Sequence, residues 1–264
     1  MRDETSGIDV QHCPVCQHAL RIDAYFCAHC GHTLTDYVAS PERPTIISSA
    51  ARLASHGSEL KRVGWLFGLL LFSSFLLGTI GRGNFSPWSE TITSGIDALI
   101  VLVFVGMRHR ELHALFNFPQ FTRRHSLELL AVVLVFVVGV NLYFALIQYA
   151  GTPMVRVSTV YQKAAWPVWS MFVLICIMPA VFEELAFRGV IQTALGHVFN
   201  EREAWLIQAA LFSILHLMPI IFPSHFLMGL CFGYMRLRTK SLYPGMILHA
   251  LWNAFVLSQE LYWL

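Results

Sequence analysis

From about residue 64 onward polar positions are rare, and apolar residues run in blocks over roughly 64 to 80, 92 to 107, 127 to 149, 166 to 182, 205 to 218, 220 to 235 and 242 to 262. Blocks of this kind predict helices that cross a bilayer, which takes roughly 17 to 25 apolar residues. Several are shorter and span only if flanking semi-polar turns extend them into the interface. Seven spans are therefore expected, with eight as the alternative. Before residue 63 the pattern is different: cysteine, histidine, proline and charge are mixed, with no apolar run. A small polar head is expected to precede an apolar body.

Composition sharpens this reading. Apolar residues make up 56% of the 264, and only 34 are Asp, Glu, Lys or Arg, 13 of them within residues 1 to 63. Disorder and an ordinary soluble surface are thereby excluded. A net charge of +2, with the basic residues in short clusters between apolar runs, excludes a nucleic-acid footprint. The start, MRDETSGIDVQHCPVC, shows no basic stretch leading into an apolar one, so no cleavable signal peptide is expected. With the amino terminus in the cytoplasm, even-numbered spans return there. Lys61-Arg62, Arg108 with Arg110, Arg123-Arg124, Arg202, and Arg236, Arg238 and Lys240 then all fall inside, as positive-inside charges should. Only Arg82, Arg156 and Lys163 fall outside, as isolated charges. The expected location is integral in the cell (inner) membrane, with the lipid bilayer as the solvent of the body.

Four of six cysteines form two CxxC pairs, Cys13-Pro-Val-Cys16 and Cys27-Ala-His-Cys30, separated by ten residues. Each pair supplies two thiolates from a tight turn, and two turns close a tetrahedral four-thiolate zinc site with no open position for chemistry. Disulfides are the competing reading, disfavoured without a secretion signal. Such a short unit buries too little apolar surface to fold alone, so the metal would supply much of its folding free energy. His12, His18, His29 and His32 surround the cysteines but are not needed as ligands. Residues 1–36 are expected to be a zinc ribbon with a cytosolic partner as its regulatory reading and a folded stub as the alternative. Residues 37–62, with Pro41, Pro44, Ser48, Ser49 and Ser58, read as a linker, and 63–264 as the membrane domain.

Ionisable groups inside spans are costly and are default functional candidates. Three segments hold nearly all of them. In Glu183-Glu184-Leu-Ala-Phe-Arg188, Glu184 and Arg188 share a helical face, and Glu183 is rotated about 100° away. In Phe212-Ser-Ile-Leu-His216, Phe212 and His216 share a face, and in His249-Ala-Leu-Trp-Asn253 the two polar residues again stand at i, i+4. At about 1.5 Å rise per residue, Glu183, His216 and His249 lie roughly 21, 18 and 12 Å from the cytoplasmic ends of their spans. All three helices are thus expected to meet on the cytoplasmic side of the midplane. Taken singly, each motif also reads as a charged helix end, a carbonyl-bonded histidine or a helix-packing pair. Asp97, Asn141 and His225 belong to no pattern and read as packing or interface residues.

The ordered set EExxxR, FxxxH and HxxxN, with His216 33 positions after Glu183 and His249 another 33 on, resembles the CPBP/Abi family of CAAX prenyl endopeptidases and bacteriocin-processing or self-immunity proteins. The resemblance covers about residues 165–258, the expected catalytic core, and includes Gly229, Gly233 and the Ser241-Leu-Tyr-Pro244 lead into His249. It implies an intramembrane endopeptidase that cuts a peptide or membrane-protein substrate near the cytosolic face. Carried over position by position, Glu183 and His216 would activate a water, and Glu184 with Arg188 would brace that helix. His249 and Asn253 would donate to the oxyanion. An older family reading makes the same glutamate and histidines ligands of a catalytic metal. HExxH, GxSG and GxGD are absent, and the metal-free glutamate site is the favoured expectation. The readings from other classes are a catalytically silent membrane scaffold or immunity protein, and a transporter, for which no matched pair of interrupted segments is found.

Overall fold

A computed structural model describes residues 11–20, 27, 29–32, 49–80, 86–119, 123–152 and 156–262. The chain divides into two compact units, Met1–Ser55 and His56–Leu264. In the first, strands β1 (Gln11–His12) and β2 (Ala19–Leu20) pair antiparallel, Gln11 opposite Leu20 and His12 opposite Ala19, and so flank the first CxxC turn. Of the expected linker, residues 37–48 lie outside the described residues. Its remainder, 49–62, is the start of helix α1 (Ser49–Ile80).

The second unit is all helical among the described residues. After α1 come α2 (Pro87–Met107), α3 (Arg123–Tyr149), the short α4 (Val157–Lys163), α5 (Val168–Gly196), α6 (Glu201–Leu215), α7 (Phe222–Thr239) and α8 (Tyr243–Tyr262). Local chemistry sets several of these boundaries. Ser86 and Ser89 cap α2 reciprocally before Pro87, and Asn200 and Glu203 do the same for α6, which satisfies amide groups a helix start leaves bare. Lys240 takes a left-handed φ of 52° and stops α7.

Among the described residues, four helical stretches are long and apolar enough to cross a membrane: Pro87–Met107, Ser126–Tyr149, Val168–Gly196 and Pro219–Thr239. The seven to eight expected spans are not all reproduced as such helices. α6 has 15 residues, about 22 Å at the helical rise, and α8 is interrupted by His249, Asn253, Gln259 and Glu260. Outward faces are apolar: Leu99 is 65% exposed and Val135 69%, which only a lipid surround makes favourable. The protein is an all-α integral membrane protein with a cysteine cluster ahead of its helices.

Ion pairs gather the helix ends that carry the basic clusters. Arg108 bridges Glu59 and Glu111, and Glu111 also meets His197. Arg236 donates to Thr193 at 2.7 Å, Arg238 meets Glu128 at 2.7 Å and Lys240 meets Glu201 at 3.2 Å. These contacts bring the ends of α2, α5 and α7 and the starts of α3 and α6 to one end of the bundle.

Inside, α7 packs against α6 almost backbone to backbone. A Cβ on Gly229 would lie 2.7 Å from Ala209 Cα, so no side chain fits there. Two polar side chains of α6 reward that approach, Gln208 donating to Gly229 O and Trp205 to Leu230 O, both at 2.8 Å, and from α5 Gln192 donates to Gly233 O at 3.2 Å.

Candidate active site and cysteine cluster

Two turns of the same geometry build the cysteine cluster. Cys13 N–H donates to His18 O and Cys27 N–H to His32 O, both at 2.8 Å, while Gln17 and Gly31, at φ 58° and 76°, return their N–H groups to Cys13 O and Cys27 O. The four Sγ atoms of Cys13, Cys16, Cys27 and Cys30 all lie within 4.8 Å of one another, with Cys13–Cys30 at 3.6 Å and Cys16–Cys27 at 3.5 Å. Tetrahedral zinc–thiolate bonds of about 2.3 Å put sulfurs about 3.8 Å apart, so the donor set fits such an ion. For Cys16, the backbone bond at His18 lowers the thiol pKa, but burial and the three neighbouring thiols push it up to about 12. Four thiolates this close need a cation among them. Among the described residues no histidine joins the group; His18 and His29 stack on each other at 4.5 Å.

The membrane site is built on a distorted helix. α5 is π-helical over Phe172–Ile177 and again over Glu184–Ile191, with Pro179 between. Pro179 has no N–H to give to the carbonyl four positions back. That carbonyl, Ile175 O, accepts from Asn253 Nδ2 at 3.0 Å, tying α8 to α5. π-turns of this kind widen a helix and frequently accompany functional sites.

Glu184, fully buried, accepts on Oε1 from Arg188 Nη1 at 2.9 Å and from His249 Nδ1 at 3.2 Å. Its other oxygen lies where a Cβ on Gly245 would come within 2.8 Å. Arg188, also fully buried, stacks its guanidinium over Phe212 at 4.4 Å and Phe232 at 5.3 Å, and donates to Met228 O. A buried charge costs several kcal/mol unless paired, and here it is paired, hydrogen-bonded and stacked. Glu183 points elsewhere: its side chain is 25% exposed, and its Oε2 lies 3.9 Å from His249 Nε2. His249 therefore stands between the two adjacent carboxylates, one nitrogen toward each.

His216 caps the end of α6, with Nδ1 on Phe212 O at 2.9 Å. No hydrogen bond joins it to Glu183 among the described residues. Its ring meets Phe212 at 5.2 Å and the ring of His225 at 3.9 Å. Phe212 in turn lies 6.2 Å from His249 and so sits among Arg188, His216, His225 and His249. Glu183, Glu184, Arg188, Phe212 and His249 are thus gathered directly, while His216 and Asn253 flank them.

The sequence reading left out His225, Phe232 and Gly245 from this cluster. The pairing of His225 with His216 depends on the α6–α7 turn, which periodicity along one helix does not encode. Asp97 accepts from Ser73 Oγ, and Asn141 donates to Val137 O on its own helix, both as packing groups.

Comparison with curated proteins and with solved structures finds no match. Residues 165–255, which carry every one of these membrane-site side chains from Glu183 to Asn253, match the type II CAAX prenyl endopeptidase family described as Rce1-like.

Proposed function

We propose that the protein is an intramembrane endopeptidase that hydrolyses a peptide bond near the cytosolic face of the membrane. The observation that carries this reading is the division of labour between adjacent carboxylates: Glu184 is consumed by Arg188 and His249, whereas Glu183 is partly exposed and has only the His249 Nε2 at 3.9 Å. A carboxylate not locked in an ion pair is what a general base requires.

In this reading Glu183 and His216 hold a water, which attacks the scissile carbonyl carbon as Glu183 takes its proton and passes it to the departing amine. His216 suits the task because its Nδ1, bonded to Phe212 O, leaves Nε2 as the acceptor. With Nδ1–H given to Glu184, His249 donates from Nε2 to the oxyanion in its imidazolium form, whose charge Glu183 and Glu184 flank. Asn253 spends one amide hydrogen on Ile175 O and offers the other. The glutamate mechanism is preferred to a metal one because, among the described residues, only the four cysteines converge within ligand distance of a common centre. Those cysteines would hold a structural zinc, and the basic end of the bundle would face the cytosol with the amino terminus.

A catalytically silent scaffold or immunity protein is the second reading, favoured by the buried Glu184–Arg188–His249 contacts, which would pin three segments together without any reaction. Purified wild type and Glu183→Gln, both checked by thermal unfolding, would be assayed on a membrane-peptide library with and without a strong chelator. Cleavage by wild type alone, insensitive to chelator, is the expected result. Chelator loss restored by added metal would replace the glutamate mechanism, and no cleavage by either protein would favour the scaffold.

A further inference from the structure

His216 is held by a single hydrogen bond and two ring contacts. It stands at the end of α6, at φ −74° and ψ −8°, with Leu217 beyond it at φ 53°, and its ring has one hydrogen bond, to Phe212 O. A ring with a single bond can swing about its side-chain torsions unless both faces are packed. Phe212 presents an edge-on contact at 5.2 Å on the same helix. The second contact comes from another helix: the His225 ring lies 3.9 Å away, inclined by 50°.

His225 is itself firmly held. It lies in the first turn of α7, where Nδ1 meets Ile221 O at 3.0 Å and Ser224 Oγ at 3.2 Å. Ser224 Oγ is anchored on Ile221 O at 2.8 Å, and Ser213 Oγ donates to Phe222 O at 2.6 Å, fastening the end of α6 to the start of α7. The wall against His216 is therefore fixed to the same turn that fixes His216.

We propose that His225 is a positioning residue that, through ring contact, holds the His216 imidazole against Phe212 with Nδ1 on the Phe212 carbonyl and Nε2 open as a base. The proposal rests on His216 serving the hydrolysis described above, but its geometric content stands apart from activity. A side chain displaced by about 1 Å in an active site costs up to about 100-fold in rate. Loss of the wall should thus lower kcat and leave KM unchanged, since His216 would not bind the remote parts of the substrate.

The test compares wild type, His225→Ala and His225→Phe in the full-length protein, using a peptide the wild type cleaves. Expected are a tenfold to hundredfold fall in kcat at constant KM for the alanine variant, and recovery to within about threefold for phenylalanine, which restores a ring. Nitrogen-15 spectra of histidine-labelled protein, with His216 assigned by comparison with His216→Gln, supply a readout free of cleavage. Wild type and His225→Phe should show His216 in one Nδ1-protonated form, and His225→Ala a mixture. A phenylalanine variant as slow as alanine, or an alanine variant with normal kcat, overturns the proposal. If the alanine variant fails to fold, a mixed His216 signal in His225→Phe overturns it. If wild type cleaves nothing while the spectra behave as expected, the protease reading fails and the positioning role holds.

Discussion

His249 Nδ1 lies 3.2 Å from Glu184 Oε1, although the two residues are 65 positions apart. That bond makes Glu184 an acceptor for two cationic or cation-forming groups at once, with Arg188 at 2.9 Å on the same oxygen. It also orients the His249 ring and turns Nε2 toward Glu183. The neighbouring glutamates consequently differ in their surroundings: Glu184 is held by Arg188 and His249, whereas Glu183 is partly exposed with His249 Nε2 at 3.9 Å.

Glu184→Ala should be far more damaging to the fold than Glu183→Ala. Removing Glu184 leaves the Arg188 guanidinium buried without its counter-charge, a change that typically costs about 3–5 kcal/mol. Thermal unfolding in detergent should show a large fall for Glu184→Ala and a small one for Glu183→Ala, while cleavage is lost in both.

Gly245→Ala tests the packing behind that carboxylate. The new Cβ would stand 2.8 Å from Glu184 Oε2, closer than atoms tolerate, and the carboxylate must shift away from His249. Cleavage should fall by at least tenfold while the protein still folds; normal kcat in this variant would show that the Glu184–His249 bond is not needed for the reaction.

Gly229→Ala probes the α6–α7 contact without touching the reacting groups. The obstacle is Ala209 Cα at 2.7 Å, which is backbone and cannot rotate aside, so the helices must part. A destabilisation of about 1–3 kcal/mol is expected from such overpacking, read as a lowered midpoint in thermal unfolding.

Metal removal should affect the head and spare the membrane chemistry. Elemental analysis should find one zinc per chain, lost in Cys13→Ser with Cys16→Ser, and cobalt substitution should give the charge-transfer band of a thiolate site. Unchanged cleavage by the double variant is expected.

Acid should loosen the Arg108–Glu111–His197 contact. Partial burial pushes the Glu111 pKa up, but hydrogen bonds with His197 and Arg108, together with their charges, outweigh this and hold it below the ordinary 4.5. A depressed carboxylate pKa stabilises the folded state above the unfolded value and loses that contribution as pH falls through the folded one. The unfolding midpoint of wild type should therefore drop between pH 5 and pH 3 by more than that of Glu111→Gln.

Local patterns carried much of this. The spacing of Cys13, Cys16, Cys27 and Cys30 was enough to expect a four-thiolate cluster, because each knuckle is closed by hydrogen bonds within six residues. The Glu184–Arg188 pair was legible for the same reason, as i, i+4 neighbours on one helix. The span count was less legible, since hydropathy alone treats α6 and α8 like the longer apolar helices although polar residues at the site shorten or interrupt their apolar runs.

The order and helical phase of the motifs, the apolar body and the cysteine head follow from the chain alone, since periodicity and short-range bonding are written in neighbouring residues. Which glutamate faces His249 Nδ1, that Asn253 spends a hydrogen on Ile175 O, and that His225 rather than Glu183 touches His216 were decided only by tertiary structure. Each depends on how helices rotate and approach one another. That is set by contacts such as Gly229 on Ala209 and by the π-turns around Pro179, where residues distant in sequence exclude or admit each other's atoms.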